Sequence, residues 1–91
     1  MVKDTKMIAL LCKTLAACQT ADDVATLLTD LCTYKEVEQM AQRVAAAKLL
    51  ADGKTYAEII EKTEISSATL SRVSKCVRYG NGGYGKFIPK E

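Results

Sequence analysis

The sequence predicts an all-α chain, a small multi-helix domain that ends in a helix-turn-helix. Three observations lead there. Of the 91 residues 48% are hydrophobic, yet one is Phe and none is Trp, so the core must come from Leu, Ile, Val and Ala, residues that helices accommodate. Apolar positions recur at three- and four-residue spacing along most of the chain. Hydroxyl residues that suit helix starts, Thr20, Thr33, Thr55 and Ser66, stand before each later run.

Taken in order, the first helix is expected from about Lys3 to Cys18, with Met7, Leu10, Leu11 and Leu15 on one face. Thr20 caps a second, whose first turn holds Asp22 and Asp23 and whose stripe is Val24, Leu27, Leu28 and Leu31. Thr33 and Glu36 have the spacing of a capping box for the longest helix, about Tyr34 to Ala51. Gly53 suits the left-handed position after it, and the small residues Ala45 to Ala47 invite close approach of another helix. Thr55 and Glu58 repeat the capping pattern for a two-turn helix to about Thr63. Ser66 then caps a last helix to about Tyr79, with Ile59, Ile60, Ile65, Leu70, Val73 and Val77 forming the apolar side of the pair. Ser67, Ser71, Arg72, Ser74, Lys75 and Arg78 are left facing outward. Four of the six residues from Gly80 to Gly85 are glycine, so a basic tail over 80–91 is expected to be mobile, although Tyr79, Tyr84 and Phe87 give it something to bury. The organisation expected is thus one helical domain over 1–79, with the helix-turn-helix at about 55–79, followed by that tail.

Composition excludes several classes of function. The chain has no His, which removes the usual general base and the usual activator of a Ser or Cys nucleophile, so an enzyme is not expected. The four cysteines, Cys12, Cys18, Cys32 and Cys76, show no CxxC spacing and read as reduced apolar residues, with no metal or other cofactor implied. No apolar run reaches about 18 residues and no signal peptide is recognisable, so a cytoplasmic protein without a membrane partner is expected.

Charge is distributed unevenly. Residues 1–53 carry six basic and seven acidic groups, whereas 54–91 carry seven basic and four acidic. Between Ile65 and Lys90 there is no acid, while Arg72, Lys75, Arg78, Lys86 and Lys90 all lie there. A phosphate-binding surface needs such a one-ended basic face, and a solvated charged face also produces one.

The run "TYAEIIEKTEISSATLSRV" has the plan of a helix-turn-helix, in which the second helix lies in the major groove with its first residues at base edges. On this plan Thr55, Ser66, Ser67, Ala68, Thr69 and Ser71 line the approach to double-stranded DNA, Arg72 can fork onto guanine, and Lys75 and Arg78 can meet phosphates. From "LCTYKEVEQMAQRVAAAKLLADGKTYAEI" through "SSATLSRVSKCVRYGNGGY", about Leu31 to Tyr84, the chain resembles the tryptophan repressor superfamily, and within it the YerC/YecD-type members. The resemblance implies an intertwined homodimer built from the outer helices and a transcriptional regulator that binds operator DNA. A helical dimeric adaptor for another protein is the alternative.

Two positions depart from the usual unit. Glu64 replaces the glycine of the turn, which argues against the usual left-handed turn there, and Ile60 replaces a small residue, which predicts that the two helices pack further apart or at another angle. In the tryptophan repressor the amino acid sits between the long helix and the helix-turn-helix. Thr33, Arg43 and Arg72 match the polar side of that pocket, but Val73 stands where a glycine admits the indole. The resemblance therefore implies DNA binding without a corepressor, or with one that lacks an indole.

Overall fold

The computed structural model describes residues 5–90, which form six helices and, among the described residues, no strand. They are α1 (Thr5–Ala16), α2 (Ala21–Leu31), α3 (Tyr34–Ala51), α4 (Tyr56–Thr63), α5 (Ser67–Tyr79) and α6 (Gly83–Phe87). The expected start of the first helix at Lys3 lies outside the described residues. The chain divides after Val37 into two units.

The first unit holds α1, α2 and the first turn of α3. Thr20 Oγ1 accepts the Asp23 amide at 3.0 Å, and Asp23 Oδ2 accepts the Gln19 amide at 3.0 Å, so two otherwise orphaned N–H groups at the start of α2 are satisfied. Thr33 and Glu36 form the expected reciprocal pair at the start of α3: the Glu36 amide donates to Thr33 Oγ1 at 3.1 Å and the Thr33 amide to Glu36 Oε1 at 2.8 Å. No residue of α1 or α2 is buried. Leu10 is 65% exposed and Leu31 50%.

The second unit has a core. Ala46 and Ala47 of α3, Ile59 of α4, Ile65 of the joint, and Leu70 and Val73 of α5 are each at most 2% exposed. Of the alanines expected to admit a close neighbour, Ala46 and Ala47 belong to this cluster, whereas Ala45 is exposed. α3 ends in a Schellman arrangement, with the Lys54 amide donating to the Leu49 carbonyl at 3.1 Å and the Gly53 amide to the Leu50 carbonyl at 3.0 Å. Gly53 adopts φ 84°, which glycine reaches without steric penalty.

Three expectations change here. Glu64 does adopt the left-handed conformation, φ 60° and ψ 19°, the one non-glycine with positive φ among the described residues. An L-residue resists this by about 1–2 kcal/mol. Local bonds offset the cost: the Glu64 amide donates to the Ile60 carbonyl at 2.8 Å, the Ile65 amide donates to Thr63 Oγ1 at 3.2 Å, and Ile65 becomes buried.

Ser74, read as outward, is 5% exposed because it shares the inward stripe with Leu70 and Val73, while Val77, read as inward, is 39% exposed. No buried side-chain polar atom among the described residues lacks a hydrogen-bond partner.

The glycine-rich segment, finally, contains α6. Tyr84 and Ile88, one helical turn apart, pack against the core cluster, and Lys48 Nζ donates to the Pro89 carbonyl at 3.2 Å. Burial of that pair supplies what the glycines lack in helix propensity. Of the three aromatic residues expected to be available for burial, Tyr84 is half-buried, whereas Tyr79 and Phe87 are 81% and 75% exposed.

Candidate nucleic-acid interface

α4 and α5 pack as a pair about the joint formed by Glu64, Ile65 and Ser66. Their relation is held at both ends of the joint. On one side Gln42 Nε2 of α3 donates to the Thr63 carbonyl at 3.2 Å, which anchors the end of α4 to the long helix. On the other, Ser66 Oγ accepts the Thr69 amide at 3.1 Å and starts α5. Gln42 carries no signal in the sequence for this role, because its partner is a backbone carbonyl 21 residues away.

The inward side of α5 is Leu70, Val73 and Ser74, so the opposite side is fixed. Ser67, Ala68, Ser71, Arg72, Lys75 and Arg78 are all exposed, and the helical period places them on one broad face. Short side chains occupy its first turn and cations follow. The geometry suits a groove-reading helix, because small residues allow close approach at the start while longer cations reach outward behind them.

The remaining predicted site residues divide by how their hydroxyls are used. Thr55 Oγ1 accepts the Glu58 amide at 3.2 Å and donates to Glu58 Oε1 at 3.0 Å, while the same carboxylate accepts the Thr55 amide at 2.9 Å. That closed capping box spends the Thr55 proton on α4 itself. The bonds from the Thr55 backbone and side chain, assisted by Lys54 and Lys62, hold the Glu58 carboxyl below its ordinary value of 4.5. Ser66 Oγ donates to Thr69 Oγ1 at 2.9 Å, which spends the Ser66 proton but leaves that of half-buried Thr69 free to turn outward.

The residues matched to the ligand pocket are described each in its own unit. Val73 is 2% exposed and belongs to the core cluster. Arg43 is half-buried on α3 and Arg72 exposed on α5. Thr33 belongs to the first unit, where its hydroxyl caps α3. Among the described residues no group of three or more His, Cys, Asp or Glu side chains could hold a metal ion, and no helix is long and apolar enough to cross a membrane.

A Trp repressor protein family model matches residues 6–91, which includes the first helices and the segment after Tyr79, well beyond the run that carries the sequence resemblance. The chain is 47% identical over 55 residues to an uncharacterised protein of Bacillus subtilis named YerC. That match covers 60% of this chain and spans about half, 53%, of the relative. Among solved structures it is similar to a TrpR-like protein from Eubacterium eligens, with a TM-score of 0.86, 35% identity, and coverage of 91% of this chain and 86% of that one. A candidate Trp repressor from Staphylococcus aureus superposes with a TM-score of 0.83 at 28% identity over 93% of this chain and 89% of that one. The chain is a member of the Trp repressor protein family.

Proposed function

We propose that this protein is a sequence-specific DNA-binding transcriptional regulator that acts as a homodimer and does not require tryptophan. The observation that carries the reading is the outward face of α5, where Ser67, Ala68, Ser71, Arg72, Lys75 and Arg78 are exposed together on a helix whose back is locked into the core. Family membership supports it. In this reading Arg72 meets a base edge, Lys75 and Arg78 meet phosphates, Thr69 turns its free proton to the DNA, and Thr55 and Ser66 hold the two helices in place.

Two features support a dimer. Leu10, Leu11 and Leu15 remain between 38% and 65% exposed at helical spacing. In the second unit Val44, Cys76, Tyr84, Phe87, Ile88 and Pro89 line an open cleft of about 640 Å³. Both are apolar surface that a second copy would remove from water. Independence from tryptophan rests on Val73, which is 2% exposed in the core cluster and which the sequence resemblance aligns with the glycine beside the indole in the tryptophan repressor. Displacing it costs about 1–3 kcal/mol, or one to two factors of ten in affinity.

The test is selection of duplexes from a randomised pool, followed by gel shift across a salt series with and without tryptophan. The expected result is a selected, roughly palindromic duplex bound equally well in both conditions. Arg72→Ala should weaken it by about 1–3 kcal/mol, while Lys75→Ala or Arg78→Ala weakens all duplexes and flattens the salt slope. Failure to select any duplex, together with retention of a protein partner at high salt, would favour the adaptor instead.

A further inference from the structure

The proposed DNA-reading face contains one outward side chain in its first turn that can make no hydrogen bond. Ser67, Ala68 and Ser71 are exposed there, Leu70 is buried, and Thr69 is half-buried with its oxygen tied to Ser66 Oγ. Between the two serines, Ala68 therefore presents a methyl group outward on a turn that is otherwise hydroxylated. Its place is fixed by its neighbours: Ser66 Oγ caps the Thr69 amide at 3.1 Å and the Leu70 amide donates to the Ser66 carbonyl at 2.9 Å, so the backbone on both sides of Ala68 is pinned.

In the major groove the base edges differ in donors and acceptors, and thymine alone adds a methyl group. A hydroxyl can serve any base as donor or acceptor, so Ser67 and Ser71 discriminate weakly. A fixed methyl cannot satisfy a polar base edge and gains only where it meets another apolar group. We infer that Ala68 is a specificity-determining residue that selects a thymine in each half-site by contact with its 5-methyl group. The inference rests on the reading of α5 as a DNA-contacting helix and adds to it a base class. Arg72, one turn further along the same face, supplies the guanine-directed contact, so each half-site combines a thymine with a guanine.

The experiment removes the methyl group from either side of the contact. Uracil replaces thymine at each position in turn of a duplex selected by the full-length chain, and affinity is measured for the wild type, Ala68→Gly and Ala68→Ser. Uracil keeps every hydrogen-bonding group of thymine and lacks only the methyl. One position per half-site should weaken wild-type binding about fourfold, the equivalent of one buried methyl or methylene. In Ala68→Gly the same replacement should have no effect. Ala68→Ser, which keeps better helix propensity than glycine, guards against a loss caused by fraying of α5 and should likewise lose the discrimination. If a specifically bound duplex tolerates uracil at every thymine, or if the sensitive position stays sensitive in Ala68→Gly, the inference is wrong while the DNA-reading role stands. If no duplex can be selected, both fall together.

Discussion

Helices α1 and α2 and helices α4 and α5 carry similar aliphatic stripes and use them differently. In the first pair Leu10, Leu11, Leu15 and Leu31 are 38% to 65% exposed in the single chain, and nothing on either helix is buried. In the second, Ile59, Leu70 and Val73, with Ile65 between the helices, are at most 2% exposed. A helical period predicts which face is apolar but not whether this chain or another one covers it. The contrast separates a unit that closes its own core, and so holds α5 in place, from one whose apolar faces stay exposed in the single chain.

The largest effect is expected from the closed unit. Leu70→Ala removes most of a fully buried side chain and should cost about 2–5 kcal/mol, read from the shift of the urea unfolding midpoint. Leu11→Ala on α1 should act instead on association, by about 1.5–3 kcal/mol per copy if a second copy buries that side chain fully, read by sedimentation velocity over a dilution series. If Leu11→Ala leaves association unchanged, the first unit has no partner on that face and the comparison loses its meaning.

Smaller effects sharpen the account of the second unit. Glu64→Gly should stabilise the protein by up to about 1 kcal/mol, because glycine takes the left-handed conformation without steric cost but loses more freedom on folding. A loss of melting temperature would mean that the Glu64 side chain contributes a contact larger than the strain it bears. The capping box at Thr55 gives the smallest change. Glu58 has its folded-state pKa held below 4.5, so its contribution is fully present above that value and is lost as pH falls through the lowered one. The difference in melting temperature between wild type and Glu58→Gln should therefore narrow from pH 7 to pH 3. A difference that is constant over that range would remove the carboxylate from the cap.

Much of the architecture was legible because local chemistry specifies it. Thr20, Thr33, Thr55 and Ser66 cap the helices they precede, Gly53 ends α3, and the outward set Ser67, Ser71, Arg72, Lys75 and Arg78 was readable from the period alone. What was not legible depends on contacts between distant residues. Ser74 is polar, which predicts an outward position, yet the stripe it shares with Leu70 and Val73 carries it in. α6 was hidden by its glycines, whereas the signal that marks it is the Tyr84 and Ile88 pair at one-turn spacing. Glu64 is worse than glycine for its turn, and only the surrounding hydrogen bonds and buried Ile65 explain why it is tolerated. Gly80 is the converse case, a glycine whose reason appears only in three dimensions, since a Cβ there would strike the carbonyl oxygen of Cys76.

In the proposed function the second unit reads DNA and two copies are held at a fixed separation, with α5 helices about 34–36 Å apart on successive major grooves. The most direct measurement compares a selected palindromic duplex with one in which about five base pairs, half a helical turn, are inserted between its half-sites. The insertion should reduce affinity to the level of unrelated DNA, because one α5 then faces away from its groove. Equal affinity for the two duplexes would contradict it.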